Sequence, residues 1–201
     1  MTATRTIRTT PTSPIRIRPA DLDGPSGRLV KQVSRRLYGE VLDGVYVMGH
    51  HRRLMWAVAG FERKVQRWHE LDAQLKAFAV MASAASIGCS WCLDFAYYLA
   101  HTDGLDEAKA REVPRWRQSS VFTGLERDVM AYAEAMTATP PTVTDEMVTG
   151  LVQQLGEPAL VELTQMVALE NMRSRVNAAM GLRSQGFSDA CELPLAVPSG
   201  S

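Results

Sequence analysis

Cysteine is scarce in this chain, with 3 among 201 residues. That number cannot build the disulfide framework of a secreted protein. The expected setting is therefore reducing and intracellular, in the cytoplasm, where two close cysteines more often serve catalysis or metal binding than structure. Excess charge is missing too, because 22 basic residues balance 22 acidic ones. A neutral chain gives no electrostatic case for nucleic acid or an anionic membrane as partner. No stretch is apolar enough to span a bilayer, and the Thr-, Arg- and Pro-rich opening lacks the apolar run of a signal peptide. Nor does any stretch alternate apolar and polar residues long enough to predict a strand.

What remains is ample for one domain: 46% of the residues are hydrophobic, enough to bury a real core. Composition assigns residues 1–20 to a flexible arm, unless Ile15, Ile17 and Pro19 lie along a neighbouring subunit. Residues 21–183 form the helical domain and residues 184–201 an irregular tail. From Ser26 to Val45, Leu29, Val33, Leu37, Val41 and Val45 recur every fourth residue and predict one helix face. Leu54, Met55, Val58, Ala59 and Val65 predict a second helix, and Leu75, Phe78, Ala79 and Ala82 a third. Gly88 interrupts, and a further helix is predicted from Cys89 to His101, stopping at Asp103-Gly104. Leu105 to Val113 reads as a short helix cut off by Pro114.

The second half carries clearer punctuation. Thr123 and Glu126 have capping-box spacing, and Leu125, Val129, Tyr132 and Met136 continue that stripe until Pro140-Pro141. Thr144 caps the next helix, with Asp145 and Glu146 at the positive end of its dipole. Gly156 closes it, Pro158 suits a first turn, and a long helix runs to about Gly181. The fold class read from this pattern is all-α.

The segment Cys89-Ser90-Trp91-Cys92 is where chemistry is expected. Cysteines three apart on a helix face the same side, so their sulfurs can close into a disulfide. A helix start at Cys89 would favour thiolate there, through unpaired amides and the dipole. One thiolate attacks, and its neighbour resolves the product into an internal disulfide. Trp91 and Phe95 would give apolar cover, whereas Asp94 has the wrong charge to stabilise a thiolate. Two alternatives stand beside this reading: a pair of small buried hydrophobes, or a zinc site. Zinc lacks a second ligand pair at recognisable spacing, and the adjacent His50-His51 diverge on a helix. Cys191 reads as passive or as a third thiol near the pair. Trp68, Trp91, Tyr97 and Tyr98 are core residues or the lining of an apolar pocket.

Three stretches together resemble a known family. Leu71 to Lys76, leading through Ser86-Ile87-Gly88 into Cys89-Ser90-Trp91-Cys92-Leu93-Asp94, is similar to the signature helix pair of the carboxymuconolactone decarboxylase superfamily, on its alkylhydroperoxidase D-like branch. Ala131 to Thr137, followed by prolines, and Ala168 to Gly181 also match. The likeness covers roughly Arg28 to Gly181. It implies an alkylhydroperoxidase D-like helical bundle that assembles as dimers, trimers or hexamers. It also implies a redox pair that reduces hydroperoxides and is recharged by a lipoyl-bearing or thioredoxin-like protein, with no tightly bound cofactor. By the same resemblance Cys92 attacks and Cys89 resolves, which opposes the dipole argument for Cys89. We follow the resemblance, since the helix start is itself a prediction.

The chain departs from that pattern where the family places its relay groups. Ala96 stands at the histidine position and Ala77 at the glutamate position, so the usual proton transfer is lost, a contribution of about a hundred- to ten-thousand-fold in rate. His101 lies nine residues beyond Cys92, on nearly the opposite side of the helix, and cannot replace it. Glu170 falls in line with Leu163, Met166, Val167, Ser174 and Asn177, and a carboxylate on such a stripe must be paired or desolvated. It is either an ion-pair partner of Arg173 or another arginine, or the base that serves the thiols. The function expected is a thiol–disulfide oxidoreductase acting on hydroperoxides or disulfides. Its rivals are a low-turnover redox-sensing or interaction module and, weakest, the superfamily's lactone decarboxylation.

Overall fold

The computed structural model describes residues 10–12, 14–191 and 193–196. Among these residues nine α-helices follow one another: α1 (Pro25–Tyr38), α2 (Asp43–Met48), α3 (Arg52–Val65), α4 (Ala73–Ile87), α5 (Ser90–Thr102), α6 (Glu107–Ala110), α7 (Gly124–Thr137), α8 (Asp145–Leu155) and α9 (Glu157–Met180). Two short 3-10 turns, Val113–Arg115 and Phe187–Ala190, complete the regular structure of the described residues. No strand occurs among the described residues, so the fold is all-α as expected. Among them, too, no helix is long and apolar enough to cross a membrane.

Local chemistry sets the helix ends. The Thr123 hydroxyl accepts the Glu126 N–H while the Glu126 carboxylate accepts the Thr123 N–H, a complete capping box on α7. Thr144 accepts the Met147 N–H and caps α8. Gly156 separates α8 from α9, Pro158 lies in the first turn of α9, and Gly181 ends that helix in the left-handed region.

The first helix is shorter than its stripe predicted. Gly39 adopts φ 78° and closes α1 at Tyr38, so Val41 and Val45 belong to the next segment. Both are buried with Ala20, Leu22, Tyr46 and Met55, and Ile15 packs against the same cluster. Leu29, Val33 and Leu37 instead face outward, at 52%, 47% and 61% exposure. The four-residue spacing continued across a break by coincidence of register. The expected Leu105–Val113 helix is likewise reduced to α6, with Pro114 inside the following 3-10 turn rather than after a helix.

The core is built around α4. Phe78, Ala79, Met81, Ala82 and Ala84 are all essentially inaccessible, so this helix is apolar on more than one side, as a central helix must be. Its alanines let α5, α7 and α9 pack closely around it. Lys76 of α4 pairs with Glu162 of α9. The second Glu162 oxygen accepts the Glu70 and Leu71 N–H groups at 2.7 and 3.3 Å. That carboxylate thus fastens α9 to the start of α4.

Part of the expected arm and tail makes defined contacts. Arg16 donates its N–H to Met180 O (2.9 Å) and its guanidinium to Ala179 O (3.0 Å), filling carbonyls left open at the C-terminus of α9. At Gly27 an added Cβ would lie 2.5 Å from the Leu22 carbonyl oxygen, so only glycine admits this segment against α1. The rest of the expected arm, residues 1–9 and 13, lies outside the described residues.

Candidate redox site

Two helices meet at the cysteine pair. Asp72 caps the start of α4 by accepting the Gln74 and Leu75 N–H groups, and Gly88, at φ 79°, ends it. That left-handed residue, which only glycine adopts without strain, turns the chain directly into α5. Cys89 becomes the N-cap of α5, and its Sγ accepts the Cys92 N–H at 3.2 Å. The helix start predicted at Cys89 is therefore offset by one residue, leaving the sulfur itself in the capping role.

Cys89 and Cys92 are joined as a disulfide, with Cα atoms 5.4 Å apart. Both are 4% exposed. Each sulfur has its own donor: for Cys89 the backbone N–H just named, and for Cys92 the Asn177 side-chain amide at 3.2 Å. Asn177 was visible in the sequence only as a position on the Glu170 stripe. Its contact spans 85 residues, which no local pattern reveals. Gly88 and Ser90, which flank Cys89, line a cavity of about 440 Å³ shared with Pro14, Arg16, Ala178, Gly181, Leu182 and Arg183.

Glu170 is 3% exposed. Its carboxylate accepts from Ser174 Oγ at 2.7 Å and from Arg173 at 3.5 Å. Arg173 is held more closely by Glu62, one of whose contacts measures 2.9 Å. Burial pushes the Glu170 carboxyl up to about 7, against the lowering effect of Ser174 and Arg173, and the Glu62 charge adds to the rise. The ion pair expected with Arg173 exists, yet it is shared and incomplete. The hydrogen bonds of Glu170 run to Ser174 and Arg173 rather than to either sulfur.

Asp94 does not belong with the thiols. Its carboxylate accepts four backbone N–H groups from Gln185, Gly186, Phe187 and Ser188, at 3.1, 3.0, 3.0 and 2.7 Å. A buried charge needs such donors, and their supply folds the tail onto α5. Trp91 is also engaged by the tail: its ring N–H donates to Gln185 Oε1 at 2.8 Å, and its ring packs on Phe95 and Phe187. Tyr98 joins that ring cluster. Tyr97 is fully buried and donates to Leu193 O at 2.6 Å. Trp68 lies elsewhere, against Val65, Met166 and Leu169. The four aromatic residues thus do not converge on one apolar pocket.

The other candidates are all accounted for. Ala77 and Ala96 pack against the main core and offer no proton. His101 Nδ1 lies 2.7 Å from Glu107 Oε2. His50 is bonded to Arg18 O, and His51 caps α3 through Leu54 N–H, so the two rings have separate partners, although both lie between α2 and α3 rather than on a helix as expected. Cys191 is a free thiol beside Glu107 rather than beside the disulfide. Burial first, then the charges of Glu107 and Asp94, push it up to about 11.

Comparisons with known proteins fit this geometry. The family model for the carboxymuconolactone decarboxylase family matches residues 52–135, which include the whole cysteine segment. The protein YnjA of Escherichia coli K12, described as uncharacterized, is 34% identical over 162 residues, covering 80% of this chain and 87% of YnjA. Among solved structures, the debrominase Bmp8 in complex with 2,3,4-tribromopyrrole superposes with a TM-score of 0.74 at 22% identity, covering 84% of this chain and 91% of Bmp8. A peroxidase-related protein with an alkylhydroperoxidase core, from Ralstonia eutropha JMP134, gives a TM-score of 0.77 at 14% identity, with 90% and 97% covered. Those two likenesses establish an alkylhydroperoxidase D-like fold and nothing finer. With the fold, the cysteine segment and a relative of this similarity in agreement, the chain belongs to the carboxymuconolactone decarboxylase family.

Proposed function

We propose that the protein is a thiol–disulfide oxidoreductase in which Cys89 and Cys92 cycle between dithiol and disulfide, reducing a hydroperoxide or a disulfide substrate. The observation that carries this reading is the bonded sulfur pair at the start of α5, with a separate hydrogen-bond donor on each sulfur. A donor aimed at sulfur favours thiolate over thiol. In the proposed cycle the Cys92 thiolate attacks the outer peroxide oxygen; an S–O bond forms, the O–O bond breaks, and the alkoxide takes up a proton. Cys89 then attacks the resulting sulfenic acid, forming the S–S bond and releasing water. A thioredoxin-like or lipoyl-bearing dithiol returns two electrons and two protons. Neither Ala77 nor Ala96 can move a proton here; Glu170, pushed up to about 7, is the candidate base on the α9 stripe. The exposed Leu29, Val33 and Leu37 on α1 suit burial against another copy of the chain, which supports a homo-oligomer.

A second reading is a redox sensor of low turnover, favoured by the alanines at both relay positions and by the burial of both sulfurs. Steady-state hydroperoxide consumption with a thioredoxin or lipoyl donor separates the two. Sustained turnover that disappears in Cys92→Ser supports the enzyme. A single equivalent consumed, with no further turnover, supports the sensor and sinks the enzyme.

A further inference from the structure

The tail meets α5 a second time near its C-terminal end. There the imidazole of His101, the carboxylate of Glu107 and the thiol of Cys191 place one ligand atom each within 4.8 Å of one another. All three residues are half-buried. Zinc binds nitrogen, oxygen and sulfur at about 2.0–2.3 Å in a tetrahedron, which sets ligand atoms about 3.3–3.7 Å apart. The 4.8 Å limit on their mutual distances and the 2.7 Å contact between His101 Nδ1 and Glu107 Oε2 bracket that spacing, so side-chain rotation within the cluster brings the three atoms to it.

Three further observations favour a cation here. Glu107 is held in place from behind: its Oε1 accepts the Leu193 N–H at 3.0 Å, leaving Oε2 toward His101. Outer partners of this kind orient a metal ligand. The donor set also suits a divalent ion in charge, since it offers one carboxylate and one thiol beside an imidazole. A divalent ion there displaces the thiol proton and brings thiolate, carboxylate and imidazole to overall neutrality with it. Finally, a cavity of about 330 Å³, lined by Cys191, Ser188, Asp189, Pro194 and Leu195, opens at the thiol. It has room for a water molecule as fourth ligand.

We propose that His101, Glu107 and Cys191 form a binding site for a zinc-class divalent cation, which ties the tail to α5 and α6. The ion replaces the proton between His101 and Glu107 and the proton of the Cys191 thiol. Because the tail segment 185–188 is anchored on Asp94 and Gln185 bonds to Trp91, the ion also steadies one side of the redox helix. The site stands whether or not the Cys89–Cys92 pair turns over.

Cobalt(II) reports such a site directly, because thiolate ligation gives a near-ultraviolet charge-transfer band. The protein, with Cys89 and Cys92 oxidised so that Cys191 is the free thiol, is titrated with cobalt chloride and then with zinc chloride. The expected result is one cobalt per chain with the band present, and its loss on adding zinc. Cys191→Ser abolishes the band, His101→Gln weakens binding at least about tenfold, and the Cys89→Ser/Cys92→Ser double variant keeps it. Far-ultraviolet circular dichroism checks the fold of each variant; if Cys191→Ser does not fold, His101→Gln decides. The proposal is overturned if uptake is not stoichiometric or shows no band. It is equally overturned if the band survives Cys191→Ser, if His101→Gln binds cobalt as tightly as wild type, or if the band vanishes in the double variant.

Discussion

At the N-terminal end of α5, Cys89 and Cys92 sit among hydrogen-bond donors; near its C-terminal end, Cys191 sits beside carboxylates. The first pair receives the Cys92 N–H and the Asn177 amide at the positive pole of a helix. The third thiol is half-buried, with Glu107 and Asp94 opposing its charge. Two thiol environments a few turns apart thus differ in the sign of the field they supply. Reactivity follows that sign, and the scarcity of cysteine in the chain makes the contrast easy to test.

The largest expected effect is on alkylation. With the pair oxidised, Cys191 is the free thiol, and a group pushed up to about 11 is thiolate only in roughly one part per thousand at pH 8. Iodoacetamide should modify it roughly a hundredfold more slowly than free cysteine, and Glu107→Gln should recover part of that rate. An ordinary rate in the wild type would erase the contrast.

Glu170 extends the same comparison to a carboxyl group. Its folded-state value of about 7 lies above the usual 4.5, so the folded protein holds this proton more tightly than the unfolded chain does. The associated stability is fully present below about pH 4.5 and is lost as pH rises through 7. The difference amounts to on the order of 3 kcal/mol for a group this buried. Glu170→Gln removes the titration, so its stability relative to wild type should climb between pH 5 and 8 in chemical denaturation. Parallel pH profiles would show that Glu170 ionises freely. Comparing thiol pH–reactivity curves for the same variant tests its role as base, and superimposable curves remove it.

Asn177 gives a smaller effect. Loss of one hydrogen bond to a charged sulfur costs roughly 1.5–3 kcal/mol, so Asn177→Ala should raise the Cys92 thiol by about one to two units. Thiol absorbance against pH in a Cys89→Ser background reads this shift. No change would mean that the amide contributes nothing to the thiolate.

The sequence was informative where structure is local. Thr123 with Glu126, Thr144, Gly88 and Gly181 mark helix ends because capping and left-handed turns act within a few residues. The cysteine spacing likewise brings two sulfurs together within one turn. Reading failed where a local rule was satisfied by accident, as in the α1 stripe that Gly39 interrupts. It also failed where function is assembled from afar. Asn177 reaches Cys92 across 85 residues, and Asp94 gathers amides more than 90 residues away. Asp94 looked like an unfavourable neighbour of the thiols because sequence proximity hides which way a carboxylate points.

The central claim is that Cys89 and Cys92, and not Cys191, exchange electrons with the oxidant. Counting thiols in the denatured protein before and after hydroperoxide tests it most directly. The fully reduced chain should fall from three titratable thiols to one, with peptide mapping assigning the survivor to Cys191. Three surviving thiols, or oxidation confined to Cys191, would contradict it.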